Sequence, residues 1–250
     1  FSFDGKHVAF DAWLKEDTGA TRAKVFTVDV ASGVLQELTT GSMPCWLPND
    51  EDEHHLAFFR HGADFGLWVI GLEEKKLKRL NSNGNCPRFS PNGTMFAYNR
   101  LGASGGIVVT RLASGEHDLI APNRDFFGVC TYMHGFAWSP DSQKIVAQVR
   151  LSDHQHYEVH IIDVNTMKIE RRTTTTSNSF SWSPDGKKIL FCTKPKQEKC
   201  FQLYTMDVEG EVAPTKVAGQ PKDRDNSDGG LAPMANGLSS QALRQSKGWS

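Results

Sequence analysis

The sequence predicts an all-β chain of the β-propeller class, and three observations carry that prediction. A short motif recurs five times. Its spacing is that of one propeller blade. Each copy is followed by two further strand-like segments. The clearest copy is Phe180-Ser181-Trp182-Ser183-Pro184-Asp185-Gly186-Lys187-Lys188-Ile189-Leu190-Phe191. It reads as an apolar strand end, a tight turn and a second apolar strand, which together make a hairpin. Pro184 presets φ for the turn, and Gly186 supplies the positive φ that a side chain resists.

The other copies follow the same plan. Trp138-Ser139-Pro140-Asp141-Ser142 leads into Lys144-Ile145-Val146-Ala147, and Phe89-Ser90-Pro91-Asn92-Gly93 into Met95-Phe96-Ala97-Tyr98. Trp46-Leu47-Pro48-Asn49-Asp50 leads, after an acidic insertion, into Leu56-Ala57-Phe58-Phe59. Phe1-Ser2-Phe3-Asp4-Gly5 leads into His7-Val8-Ala9-Phe10. The aromatic anchors at 1, 46, 89, 138 and 182 are 45, 43, 49 and 44 residues apart. A period of roughly 40–50 residues built from short strands is the signature of four-stranded propeller blades.

A third strand follows each hairpin: 24–30, 66–72, 106–112, 158–164 and 202–208, all rich in β-branched and aromatic residues that fit a packed pleated surface. A short turn and a more polar fourth strand close the unit, as in Leu77-Lys78-Arg79-Leu80 and Lys168-Ile169-Glu170-Arg171-Arg172. This order suits a blade, because inner strands are covered on both faces and the outermost is partly solvated. The expectation is five blades over residues 1–217, out of a native six or seven. Residues 218–250 read as a flexible insertion or linker leading into a possible further repeat. The chain starts inside a motif at Phe1 and ends on Trp249-Ser250, the dipeptide that opens two earlier motifs, so a cut through a repeat is expected at both ends.

The motif Trp/Phe-Ser-Pro-Asp-Gly-Lys-x-Ile-x-Phe, followed by a strand ending in Asp-Val, resembles the repeat of TolB-like β-propellers, a WD40-like repeat type. It is seen best at 182–208, then at 89–112 and 138–164, and is loosest at 46–59. The resemblance implies a propeller without catalytic machinery of its own, which binds partner proteins; TolB is a periplasmic component of the Tol-Pal envelope system. Similar repeats form the gate domain of prolyl-oligopeptidase-like serine peptidases and the body of some polysaccharide lyases. The repeat identifies an architecture common to all of these and does not choose among them.

The rest of the sequence narrows the chemistry. A net charge of −1 gives no reason to expect nucleic acid or an anionic membrane surface. No apolar run approaches the roughly 18 residues that span a bilayer. The five cysteines, Cys45, Cys86, Cys130, Cys192 and Cys200, have no framework spacing; Cys192 and Cys200 flank one loop and are read as free thiols in preference to a bridge. No Gly-x-Ser-x-Gly elbow is present, and Gly102-Ala103-Ser104-Gly105-Gly106 reads as a hairpin turn. His54-His55 beside 50–53, and Asp153-His154-Gln155-His156, have metal-ligand residue types but read as solvated loops. Residues 223–229 lack the spacing and final Glu of a calcium loop. Asn92-Gly93-Thr94 reads as a turn rather than a glycosylation site. No cofactor or metal is called for.

Function is therefore expected on loop surfaces. The segment 121–135 carries Phe126, Phe127, Tyr132, Met133 and His134, residue types that anchor protein interfaces. The reading is a non-catalytic scaffold that binds another protein, or a ligand, through loops on one face. The alternative is the propeller of a larger enzyme: a serine peptidase with its catalytic domain elsewhere, or a lyase gathering His61, His134 and His154 at a channel mouth.

Overall fold

A computed structural model of the chain describes residues 1–13, 22–48, 54–102, 105–122, 135–150, 157–174, 179–210, 213–226, 230–231 and 241–242. Among them there is no α-helix, and the strands form the repeating antiparallel sheets of a β-propeller. The chain divides into two compact units, 1–122 and 123–250.

The first unit holds three sheets. Blade 1 is β1 (His7–Ala12), β2 (Lys24–Asp29) and β3 (Leu35–Thr40). Blade 2 is β4 (Ser42–Trp46), β5 (His55–Arg60), β6 (Gly66–Gly71) and β7 (Leu77–Asn81). Blade 3 is β8 (Gly84–Phe89), β9 (Met95–Arg100), β10 (Gly106–Arg111) and β11 (His117–Pro122). The second unit holds blade 4, with β12 (Phe136–Trp138), β13 (Lys144–Arg150), β14 (Tyr157–Asp163) and β15 (Ile169–Thr174). Blade 5 follows, with β16 (Phe180–Trp182), β17 (Lys188–Thr193), β18 (Gln202–Asp207) and β19 (Thr215–Lys216). Neighbours in sequence are neighbours in every sheet. A short pair, β20 (Gly230–Leu231) and β21 (Gln241–Ala242), lies beside β16 and was not placed by the sequence. Residues before it are tied to blade 5: Gln220 is buried and bonds both the amide and the carbonyl of Leu203, and the Asp225 carboxylate accepts from the Phe201 amide.

The motif makes the turn it predicts, and a serine hydroxyl is its hub. Ser183 Oγ donates to Asp185 Oδ1 at 2.6 Å and accepts from the Lys188 amide at 2.8 Å. Asp185 Oδ1 also accepts from the Lys187 amide at 3.0 Å. Ser139 with Asp141, Ser90 with Asn92 and Ser2 with Asp4 repeat the arrangement. The last turn residue has positive φ each time: Gly5, Gly93, Ser142 and Gly186. The Asp-Val ending of the third strand is explained as well. Asp163 Oδ1 accepts from the Asn165 and Thr166 amides to cap the next turn, and the Val164 amide reaches back to the Gln143 carbonyl at 3.0 Å.

With register fixed, alternate side chains face opposite neighbours. Between blades 1 and 2 the core is Val25, Leu56, Phe58 and Ile70. Between blades 2 and 3 it is Ala57, Phe59, Leu67, Phe96, Tyr98 and Val108. Between blades 4 and 5 it includes Val146, Ile161, Trp182, Ile189, Phe191 and Met206. The aromatic anchor does more than fill space: Trp182 Nε1 donates to the Ala137 carbonyl of the preceding blade at 3.1 Å.

Two predictions follow from turn and anchor. Asp4 and Asp185 lie below the usual carboxylate range, chiefly because the Ser2 and Ser183 hydroxyls donate to their ionised forms. A depressed folded pKa contributes stability above about pH 4 that is lost as pH falls, so the melting temperature should drop between about pH 5 and pH 2. Asp185→Asn copies the neutral Asn92 turn, and should flatten that slope while leaving the fold intact. Trp182→Phe keeps the ring but removes the bond to Ala137, and should cost about 1 kcal/mol in urea unfolding.

Candidate functional site

The two ends of each sheet differ. At one end lie the tight motif turns and the short turns into the outer strands. At the other lie connections of unequal length, from the single residue 41 between β3 and β4 to residues 123–135 between β11 and β12. This second end is the candidate interaction face. The predicted anchors Phe126, Phe127, Tyr132, Met133 and His134 belong to its longest connection and lie outside the described residues.

In the first unit this face has a built geometry. The connection 61–65 is clamped from several sides. Trp68 Nε1 donates to the Asp64 carbonyl at 2.9 Å, the Arg79 guanidinium donates to the Phe65 carbonyl, and Phe65 packs edge-on to Phe59 at 5.0 Å. Arg60 and Arg79 lie over the Trp68 ring, 5.0 and 5.6 Å from its centroid. Register explains the stack, because Trp68 stands opposite both Phe58 and Arg79. Gly66 opens β6 at φ 136°, and a Cβ there would sit 2.1 Å from the Asn81 carbonyl oxygen. At the same end of blade 1, Phe10 and Trp13 are 38% and 46% exposed. Phe10 stacks on Phe26, on the face of blade 1 opposite Ala9 and blade 2, whereas Trp and Arg are the residue types enriched in binding hot spots. The sequence reading missed Trp13, Trp68, Arg60 and Arg79; the signal was an aromatic flanked by arginines once the strands are paired.

Deeper in, inner strands β4 and β8 bulge identically. Met43 and Cys86 take positive φ, each precedes a proline, and their sulfurs are 3.5 Å apart. A proline cannot donate to the ladder, so the bulge carries it at an unpaired step. Here Ser42 Oγ lies 3.1 Å from His61 Nε2, and Asp11 Oδ1 accepts from the Met43 amide at 3.2 Å. Burial pushes His61 below the ordinary imidazole range, with the Asp11 charge opposing. The spacing is that of a nucleophile and base, but Ser42 is 1% exposed and has no open approach for a substrate carbonyl. It acts as a buried hydroxyl satisfied by a histidine.

The other sequence candidates separate. His54 bonds Asp4 at 3.1 Å and so ties blade 2 to the blade 1 turn. Residues 50–53 and 153–156, His134 and Cys130 lie outside the described residues. Among the described residues no three His, Cys, Asp or Glu side chains are grouped to hold a metal. Gly102 and Gly105 close a turn between β9 and β10, as read, and Cys192 and Cys200 are not bridged.

No protein-family model and no curated protein matches the chain. Solved structures do. TolB from Acinetobacter baumannii is similar with a TM-score of 0.66 and 19% identity, over 87% of this chain and 53% of that one. The fold is that of a TolB-like β-propeller. The chain spans about half the length of that TolB. The β-propeller domain of the trilobed protease from Pyrococcus furiosus is similar at a TM-score of 0.58 and 16% identity, over 91% of this chain and 72% of that one. A puromycin-hydrolysing peptidase from Mycobacterium tuberculosis gives 0.61 and 12%, over 88% and 38%.

The clamp on 61–65 makes a direct prediction. Trp68→Ala removes an indole bond and two cation–π contacts, and should destabilise the first unit by about 2–3 kcal/mol. Hydrogen exchange at the Phe65 amide, which bonds the Gly62 carbonyl, should accelerate while exchange in β17 and β18 stays unchanged.

Proposed function

We propose that this TolB-like propeller is a non-catalytic scaffold that binds another protein through the end bearing its unequal connections. The observation that carries the reading is the contrast between the two ends. One is fixed by repeated serine-centred turns. The other carries the 61–65 connection, held rigid by Trp68 and Arg79, and, on blade 1, the exposed Trp13. Rigid presentation lowers the entropy lost on binding, so exposed aromatics there yield more affinity than on a mobile loop. Phe126, Phe127, Tyr132, Met133 and His134 belong by sequence to the longest of these connections, between β11 and β12, and are part of the same proposal. A periplasmic or other extracytoplasmic setting is part of this proposal and rests on the TolB likeness alone.

The peptidase likenesses give the second reading, in which the propeller is one domain of a larger enzyme. One experiment separates the two. A photo-crosslinking residue is placed at Trp13 and, separately, at Ser32 in a tight turn, and the full-length protein is irradiated in its native cell. Adducts to one defined protein from position 13 and none from position 32 are expected. Equal adducts from both positions, or none, would sink the proposal. Adducts from position 13 confined to a further domain of the same polypeptide would establish the second reading in its place.

A further inference from the structure

A cavity of about 710 Å³ lies between blades 2 and 3, within the size range of small-molecule sites. Its floor is aromatic: Phe89, Phe96 and Tyr98, with Leu47 beside them. Phe96 and Tyr98 are 6% and 7% exposed, and Asn81 Nδ2 bonds the Tyr98 hydroxyl across the two blades at 3.1 Å. Leu80 and Leu112, 43% and 46% exposed, flank the opening.

Side-chain size differs between blades at matched positions that line the cavity. Blades 4 and 5 pair their second and third strands in the same registers. The pair Val146–Ile161 of blade 4 corresponds to Ala57–Val69 of blade 2, and Ile189–Met206 of blade 5 to Phe96–Thr110 of blade 3. Trp182 corresponds to Phe89. Ile161, Met206 and Trp182 fill the space between blades 4 and 5. Val69, Thr110 and Phe89 leave it open between blades 2 and 3, where Val69 and Thr110 line the cavity.

Charge is changed at a matched position too. Opposite Ile161 in blade 4 stands Glu170, whereas opposite Val69 in blade 2 stands Lys78. Glu170 is paired with Lys168 at 2.8 Å. Lys78 has no ion-pair or hydrogen-bond partner among the described residues and lines the cavity with Arg100, His55 and His117. No Asp or Glu lines it. We propose that this cleft binds an amphipathic anion, an aromatic or acyl group ending in a carboxylate or sulfonate. Its apolar body lies on Phe89, Phe96 and Tyr98 and its head group pairs with Lys78.

The test uses the full chain and anilinonaphthalene sulfonate, an aromatic anion whose fluorescence rises in apolar surroundings. One saturable site is expected, displaced by decanoate and not by decyltrimethylammonium at equal concentration. Val69→Ile with Thr110→Met, which copies blades 4 and 5, should abolish that site. Lys78→Glu, an exposed change that should leave the melting temperature unmoved, should weaken binding roughly tenfold or more. No saturable site, displacement by the cationic amphiphile to the same degree, or full binding by the filled double variant would overturn the proposal. Should the double variant lose its cooperative melt, undiminished binding by Lys78→Glu overturns it alone.

Discussion

A serine hydroxyl in four of the five motif turns is the interaction on which the rest of this molecule depends. It donates to the turn carboxylate or amide and accepts the amide that begins the next strand. That locks the two strands at one register. A sheet slipped by one residue would turn every side chain to the opposite face. In a propeller both faces are covered, so the error would not simply expose apolar groups. It would present Phe96 and Tyr98 to one neighbour in place of the other, and every core between blades would lose its fit. The four carboxylate or amide partners, Asp4, Asn92, Asp141 and Asp185, show that the hub needs an acceptor at that place and not a charge.

Once register is fixed, blades differ only by what stands at matched positions. Ile161 with Met206 closes one space between blades; Val69 with Thr110 leaves another open. Lys78 and Glu170 occupy equivalent steps with opposite charge. The outer-strand bulges tell the same story of strict repetition. Blades 1 to 4 shift register at the same step, Val25/Phe26, Leu67/Trp68, Ile107/Val108 and Val159/His160. A bulge there raises local twist and lets the flat inner strands splay outward.

The fold was almost entirely legible in the sequence, because its information is local. Trp182 to Val208 contains the anchor, the hub, the αL glycine and the Asp-Val cap in one stretch. The site was much less legible. The arginine–tryptophan stack joins Arg60, Trp68 and Arg79 from three strands and appears only when their register is known. The Ser42–His61 contact needs the β4 bulge, which Pro44 hints at without fixing. The cleft is different in kind. It was written in the sequence as small residues at matched positions, but a repeat motif is found by what its copies share, and this site lies in what they do not.

The two ends of the sheets thereby divide the work. At the hub end the four serine-centred turns use their hydroxyls, carboxylates and amides within the turn, which leaves them little polar capacity for a partner. At the other end chain length is unconstrained by register, and the backbone there is held by long side chains instead: Arg79 on the Phe65 carbonyl, Trp68 on the Asp64 carbonyl, and Arg60 on Thr39 and Thr40. Those clamps come from strand residues, so a connection can change its tip without loosening its base. The same logic separates His54 from His61. His54 spends its ring nitrogen on Asp4 and helps hold two blades together, whereas His61 spends its own on a buried serine. Under the proposed function, what the end bearing His61 offers a partner is aromatic surface and guanidinium on a rigid base.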